Sequence, residues 1–321
     1  MSGNSSPSVR VSFNAAVLSN TKIGQQFYRL KLNLPKDALK AFADFQPGQF
    51  AQLDVSGTAV PPDELIPPDL QDVSGRNILL RRPFSFSDVN VNIQAGKGTA
   101  EIVYRVVGPA TLRMTTLSSG NLVGVIGPLG KGFNVPVGKK TALLVAGGMG
   151  VPPLHHLAKF LTANHPQIIA VAFLGAKTSV ELPFKPKIDE VSKQLGFSLP
   201  EFTQYGMESM IATDDGSAGY SGFITGCLSE WLEKSDYTRE NTIIFSCGPE
   251  PMLAKVAEIA EKKNIDCQVS MEEIMACGIG LCQSCAVECK ANGTGGTTYK
   301  LCCQDGPVFD SRKVVFRSSS K

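Results

Sequence analysis

Two stretches of this chain leave little choice of architecture. "KKTALLVAGGMGVPPLHHLAKFLTAN" (Lys139 to Asn164) and "NTIIFSCGPEPMLAKVAEIAEKKNI" (Asn241 to Ile265) each run from an apolar strand through a Gly/Pro turn into a helix. "QIIAVAFLGAK", from Gln167, is another such strand. A strand apolar at every position must be buried on both faces, and alternation with helices implies a doubly wound parallel sheet. We place this α/β unit at residues 138–268.

The flanks have a different character, and 321 residues are too many for one core. Residues 8–137 carry short alternating runs, such as "FYRLKLNL", "GQFAQLDV" and "TAEIVYRVVG", with turn residues between them and no long helical period. That pattern suggests an antiparallel β-barrel or sandwich. Its one long aperiodic segment, "SGTAVPPDELIPPDLQDVSGRN" at 56–77, reads as a loop. Residues 269–321 are dominated by Cys and Gly, so a bound cofactor would have to hold them together.

Composition excludes several classes. A net charge of +2 lacks the basic excess of a nucleic-acid binder. The longest apolar run, "IIAVAFLGA", is half the length of a membrane span, and the polar start "MSGNSSPSVR" lacks a secretory core. No membrane contact and a cytoplasmic location are therefore expected. With three histidines, a His-rich metal site or a Rieske-type cluster is disfavoured, and no serine-hydrolase elbow is present. The chemistry must come from cofactors.

Six of the nine cysteines fall in "MACGIGLCQSCAVECK" and "KLCCQDGPVF". Cys277, Cys282 and Cys285 have the C-x₄-C-x₂-C spacing of a plant-type [2Fe–2S] site, whose fourth ligand comes later in the chain. Gly278 and Gly280 suit a loop that must turn its amides toward sulfur. Zinc held by the same thiols is the alternative, though the x₄ gap fits it poorly. For the fourth ligand, Cys289 is on the same short segment as Cys285. Cys302 and Cys303 are adjacent and point to opposite sides of an extended chain. Both remain open.

Nucleotide signals precede the cysteines. In "RRPFSFSD" an Arg-Pro-x-Ser strand offers the Arg82 guanidinium to a phosphate and the Ser85 hydroxyl to another part of the ligand. "YRVVGPATLRM" ends a strand in a turn with a hydroxyl at Thr111 before a helix-like stretch, a place for a pyrophosphate. "AGGMGVPPL" is not the G-x-G-x-x-G fingerprint, but its glycines admit a ligand to the backbone. "SCGPEPM" puts Cys247 at the carboxyl edge of the sheet, where open α/β folds bind ligands; a buried structural cysteine is the plain alternative. His155 and His156 read as surface or packing residues.

These pieces, with "GPLGKGF", "SMEEIMACGIGLCQSC" and "CQDGPVF", occur in an order that resembles the ferredoxin–NADP reductase superfamily, specifically the electron-transfer subunits of class 1B dihydroorotate dehydrogenases. The resemblance spans about residues 9–316. It implies an antiparallel β-barrel FAD domain at 8–137, an NAD domain at 138–268 and a small [2Fe–2S] domain at 269–321. It also implies that Cys303, preceding x-Asp-Gly-Pro, is the fourth ligand. Arg82, Pro83, Phe84 and Ser85 would line FAD, Val103, Tyr104 and Arg105 would form the second flavin strand, and Ala110 with Thr111 the pyrophosphate turn. Gly148, Gly150 and Pro152 would face NAD(H), with Cys247 and Gly248 near the nicotinamide.

Electrons would pass between NAD(H), FAD and the cluster to the FMN of a separate catalytic subunit in pyrimidine (UMP) biosynthesis, in a heterotetramer of two of each. No residue of this chain would turn over dihydroorotate. The same cofactors could serve ferredoxin, sulfite reductase or an oxygenase, and a zinc-stapled binding module is the reading of another class. Three departures from the family bear on this: Ala110 stands where Gly is usual, the 56–77 loop is long, and so is the stretch from Cys285 to Cys303.

Overall fold

The computed structural model describes residues 10–188, 197–291, 293 and 295–317. Strands β1 (Val11–Lys22), β2 (Phe27–Asn33), β3 (Phe50–Asp54), β4 (Arg82–Ser85), β5 (Asp88–Asn92), β6 (Lys97–Arg105) and β7 (Leu122–Leu129) form one antiparallel sheet in the order β4-β3-β7-β1-β2-β6-β5. Alternation drives its curl. In β1, Phe13, Ala15 and Val17 are buried while Ser12 and Asn14 are exposed. Helix α1 (Lys36–Ala43) caps the interior, its Phe42 ring meeting Phe13 and Phe86 edge-on. The ladder stays open between β4 and β5, so the expected barrel is an incompletely closed one.

The 56–77 segment is more than a loop. It holds two 3₁₀ turns and the one-turn helix α2 (Gln71–Ser74), and Ile66 and Leu70 plug into the barrel core. Helix α3 (Pro109–Met114) ties it down: Arg113 donates from Nη1 to Thr58 O (3.2 Å) and from Nη2 to Arg76 O (3.1 Å).

The second sheet begins with β8 (Thr141–Gly147), helix α4 (Val151–Asn164) and β9 (Ile169–Ala176). Two-residue strands β10 (Lys187–Ile188) and β11 (Phe197–Ser198) pair with each other before helix α5 (Pro200–Thr203). Then come β12 (Glu208–Thr213), β13 (Tyr220–Ser221), α6 (Ile224–Lys234), β14 (Thr242–Cys247), α7 (Glu250–Lys263) and β15 (Asp266–Ser270). Their pairings are parallel, with β8 central between β9 and β14, as the apolar runs require.

The cysteine-rich segment contributes a hairpin, β16 (Ala286–Lys290) and β17 (Thr297–Leu301), and then β18 (Val308–Asp310), which joins β15 antiparallel. It therefore completes the parallel sheet, and a division at 268/269 falls inside β15. Its Cys285, Cys289, Cys302 and Cys303 share a core cluster with Phe50 and Leu129 of the barrel. Among the described residues no helix is long and apolar enough to cross a membrane.

Barrel and α/β sheet meet along α4. Lys159 Nζ donates to Asp88 Oδ1 (2.5 Å) and Asn90 Oδ1 (2.6 Å), and His155 Nδ1 lies 3.0 Å from Ser87 O. Both His155 and His156 are buried packing residues.

Candidate functional site

A cavity of about 850 Å³ opens at the carboxyl ends of β8, β9 and β14, beside the switch in strand order. Gly148 and Gly150 follow β8 and Gly248 follows β14, and all three line it. Phe27 and Arg105 of the barrel close one side. Arg105 is fixed by donating to Gln26 Oε1 (3.1 Å) and by pairing with Glu181 (3.2 Å), itself a wall residue across the interface. A side chain at position 150 would overlap the Cys247 carbonyl, so glycine lets the turn after β8 lie against β14.

Two expected residues lie behind this wall. Pro152 is buried in the first turn of α4. Cys247 is 2% exposed, and burial pushes its thiol up from the ordinary range, so it reaches the cavity through its backbone neighbours only. In compensation the cavity collects residues not anticipated from sequence: Asp214 after β12, Phe223 and Thr225 at the start of α6, and Lys255 of α7. Asp214 follows the strand in "ESMIATDDG" and opens its acidic turn; the strand's apolar-polar mixture hid it beside the purely apolar strands. Glu272 also stands in the cavity, and burial raises its carboxyl.

The residues expected around FAD divide in the same way. β4 is an edge strand paired only with β3, and Arg82, Pro83, Phe84 and Ser85 are all half-buried. Arg82 Nη1 donates to Leu80 O (2.7 Å) and Arg81 O (3.3 Å), acceptors without charge that a phosphate could replace. On β6, Val103 (4% exposed) and Tyr104 (1%) are core residues, with the Tyr104 hydroxyl donating to Asn20 Oδ1 at 3.2 Å. Tyr104 packs inside the barrel, whereas Val103 packs on the opposite face of β6 against residues of the α/β sheet. The Thr111 hydroxyl accepts from Val107 N (2.9 Å) and Gly108 N (3.2 Å). The first-turn amides of Ala110 and Thr111 then have no intrahelical acceptor. Ala110 is not left-handed, and it sits in the barrel core, so the substitution for Gly leaves the turn free to hold a pyrophosphate.

The cysteines separate clearly. Ile279 N (3.5 Å) and Cys282 N (3.4 Å) donate to Cys277 Sγ, and Cys303 N donates to Cys285 Sγ (3.5 Å). Amides aimed at sulfur are what a loop of thiolates needs. Burial and the neighbouring Cys285 push the Cys303 thiol up to about 12, while hydrogen bonds from Ser284 and Cys277 bring the exposed Cys282 thiol down to about 6. Cys302 faces away: fully buried, it donates from Sγ to Met271 O at 3.2 Å. Cys289 is buried on β16. Among the described residues no three His, Cys, Asp or Glu side chains converge on one metal position. A [2Fe–2S] cluster instead distributes four thiolates over two irons, so Cys277, Cys282, Cys285 and Cys303 form a donor set of the right chemistry.

Known proteins match these regions. A family model described as the iron–sulfur cluster binding domain of dihydroorotate dehydrogenase B matches residues 272–315, and an oxidoreductase NAD-binding domain matches 144–258. The chain is 32% identical over 308 residues to the dihydroorotate dehydrogenase B (NAD(+)) electron transfer subunit of Caldanaerobacter subterraneus subsp. tengcongensis, covering 96% of this chain and 100% of that one. The subunit of the same name from Fusobacterium nucleatum is 34% identical over 305 residues, covering 92% and 95%. Among solved structures, an NADH-dependent reduced ferredoxin–NADP oxidoreductase superposes with a TM-score of 0.68 at 22% identity, covering 98% of this chain and 92% of that one. A ferredoxin NADP+ reductase from Neisseria gonorrhoeae, solved with FAD and NADP, gives 0.54 at 15% identity, covering 78% and 91%. At these identities the two structures speak for the fold alone.

Proposed function

The chain belongs to the electron transfer subunits of NAD-dependent dihydroorotate dehydrogenase B, and on that premise we propose how its own residues carry electrons between a nicotinamide and a partner. It is an oxidoreductase component using NAD(H), FAD and a [2Fe–2S] cluster. FAD when bound supplies the exchange between two-electron and one-electron chemistry, and the cluster supplies one-electron carriage.

The nicotinamide nucleotide occupies the cavity at the sheet edge. Gly148, Gly150 and Gly248 admit it to the backbone, and Lys177 and Lys255 set positive charge near its phosphates. Asp214 receives ribose hydroxyls and disfavours a 2′-phosphate, which makes NADH the preferred donor. Arg82 and the Ala110–Thr111 turn hold the flavin's phosphates, with Phe84 and Ser85 along its ring. Cys277, Cys282, Cys285 and Cys303 ligate the cluster, supported by the amides directed at Cys277 and Cys285. The working units are 8–137 for FAD, 138–268 for NAD(H) and 269–321 for the cluster, the last two sharing a sheet.

One observation carries this reading. The same barrel walls the nucleotide cavity with Phe27 and Arg105 and contacts the cysteine loop through Phe50 and the Arg10 donation to Ile279 O. The partner is a catalytic subunit carrying FMN, which interconverts dihydroorotate and orotate in UMP synthesis, assembled two-and-two in the cytoplasm. Anaerobic titration with NADH and NADPH tests this, following flavin absorbance and cluster EPR before and after the catalytic subunit is added. NADH should reduce both groups in the isolated chain. Oxidation of dihydroorotate by the isolated chain would overturn the division of labour.

A further inference from the structure

Gln52 is the most anomalous polar residue in the barrel. It sits mid-strand in β3 and is fully buried, yet neither Oε1 nor Nε2 has a hydrogen-bond partner among the described residues. Leaving a buried carboxamide unpaired is costly, and an apolar side chain here would remove that penalty. The position therefore carries a polar group for something that completes it.

Its direction identifies what that is. Ala51 and Leu53 face the barrel interior, whereas Phe50, two residues before Gln52, belongs to the core cluster with Cys285, Cys302 and Cys303. Gln52 shares that outward face. A register shift between Phe50 and Gln52 against β7 adjusts the strand at this point. The side chain ends on Gly278, the residue after Cys277: a Cβ built there would come within 2.6 Å of Gln52 Cγ and 2.8 Å of Cδ, and nearer still to Nε2. Gly278 has φ +68°, so the loop both turns and makes room for the carboxamide at this position. Across the ladder Gln52 pairs with Pro83 of β4. It thus stands between the flavin strand and the cysteine loop.

We propose that Gln52 Nε2 donates a hydrogen bond to a sulfur of the iron–sulfur cluster on the Cys277 side, and so sets how readily that cluster takes an electron. The proposal rests on the cluster assignment above. An N–H at sulfur stabilises the more negative, reduced cluster, which raises its reduction potential. Gln52 thereby makes the cluster a better acceptor of an electron from the flavin side.

The test is a spectroelectrochemical titration of the loaded protein, with EPR of the reduced cluster, for wild type, Gln52→Leu and Gln52→Asn. The control is Gln49→Leu, whose carboxamide is already satisfied within the protein: Gln49 Nε2 donates to Gly130 O and Oε1 accepts from Gln46 N. At fixed poise the reduced-to-oxidised ratio should fall about tenfold in Gln52→Leu, which is about 59 mV for one electron. The g-values should shift and the flavin potential stay put. Gln52→Asn, one methylene short, should behave likewise, and it provides the measurement if Gln52→Leu fails to load. The Gln49 variant should lose stability without moving the potential. A loaded Gln52→Leu protein with wild-type potential and spectrum overturns the proposal, as does a shift confined to the flavin. Wild-type protein without a [2Fe–2S] signal would instead sink the cluster reading itself.

Discussion

Cys302 and Cys303 are neighbours with opposite surroundings. The Cys302 thiol is spent on the Met271 carbonyl inside the core, and burial pushes it up. Cys303 lies against Cys285, whose sulfur its amide already contacts. Cys302→Ser keeps a hydroxyl able to make the same donation and should retain a full complement of iron. Cys303→Ser should lose most of it, as read by iron analysis and the visible spectrum. The reverse result would exchange the ligand. Asp214 makes a second prediction at this scale. Its exposed carboxylate on the cavity wall should repel a nucleotide 2′-phosphate. Asp214→Ser should raise the ratio of NADPH to NADH efficiency about tenfold, equivalent to about 1.4 kcal/mol. Stopped-flow flavin reduction measures it, and an unchanged ratio removes Asp214 from nucleotide selection.

Among elements, the α4–β5 contact is where pH should act first. Burial holds the His155 imidazole down at about 4, against the pull of the Ser87 carbonyl and Asp88. Burial pushes the Asp88 carboxyl up, but the Lys159 donation and the neighbouring His156 ring outweigh it and keep Asp88 well below the usual range. Asp88 therefore stays ionised while His155 titrates. Unfolded histidine takes its proton near 6.5, so between 6.5 and about 4 the unfolded chain binds more protons. Stability from this group is complete above pH 6.5 and is lost as pH falls toward 4, by up to about 3 kcal/mol. Denaturation midpoints of wild type and His155→Gln from pH 7.5 to 4.5 check this: the wild type should fall more steeply. Parallel slopes would remove His155 as the cause.

The elements also explain what was legible. β8, β9 and β14 were plain because burial on both faces leaves uninterrupted apolar runs. β1 was plain because burial on one face leaves alternation. The turns within 56–77 have no period to detect, and β18 is three residues long, so its addition to the α/β sheet depends on partners distant in sequence. The three cysteines with fixed spacing could be named from the chain itself, but Gln52 could not. A Gln in an alternating strand looks like a solvent-facing residue until a second unit covers it.

At the scale of the molecule, an electron path needs an exit that a partner can cover. The cysteine loop has one. Cys282 is exposed, and Leu281 beside it and Ile274 before the loop are 76% and 85% exposed. Large apolar side chains next to a redox centre are poorly explained by folding, since their burial within this chain contributes almost nothing. They suit a hydrophobic contact at the centre of an interface, where truncating an anchor typically removes 2 kcal/mol or more. Ile274→Gln with Leu281→Gln should weaken association with the catalytic subunit at least about thirtyfold, given about 2 kcal/mol lost. Neither residue lines the nucleotide cavity, so NADH should still reduce the cluster of the isolated variant at the wild-type rate. Calorimetric titration against the catalytic subunit reads the first effect and stopped-flow EPR the second. Unaltered affinity would move the docking face elsewhere, whereas slowed internal reduction would show that these side chains serve the cluster itself.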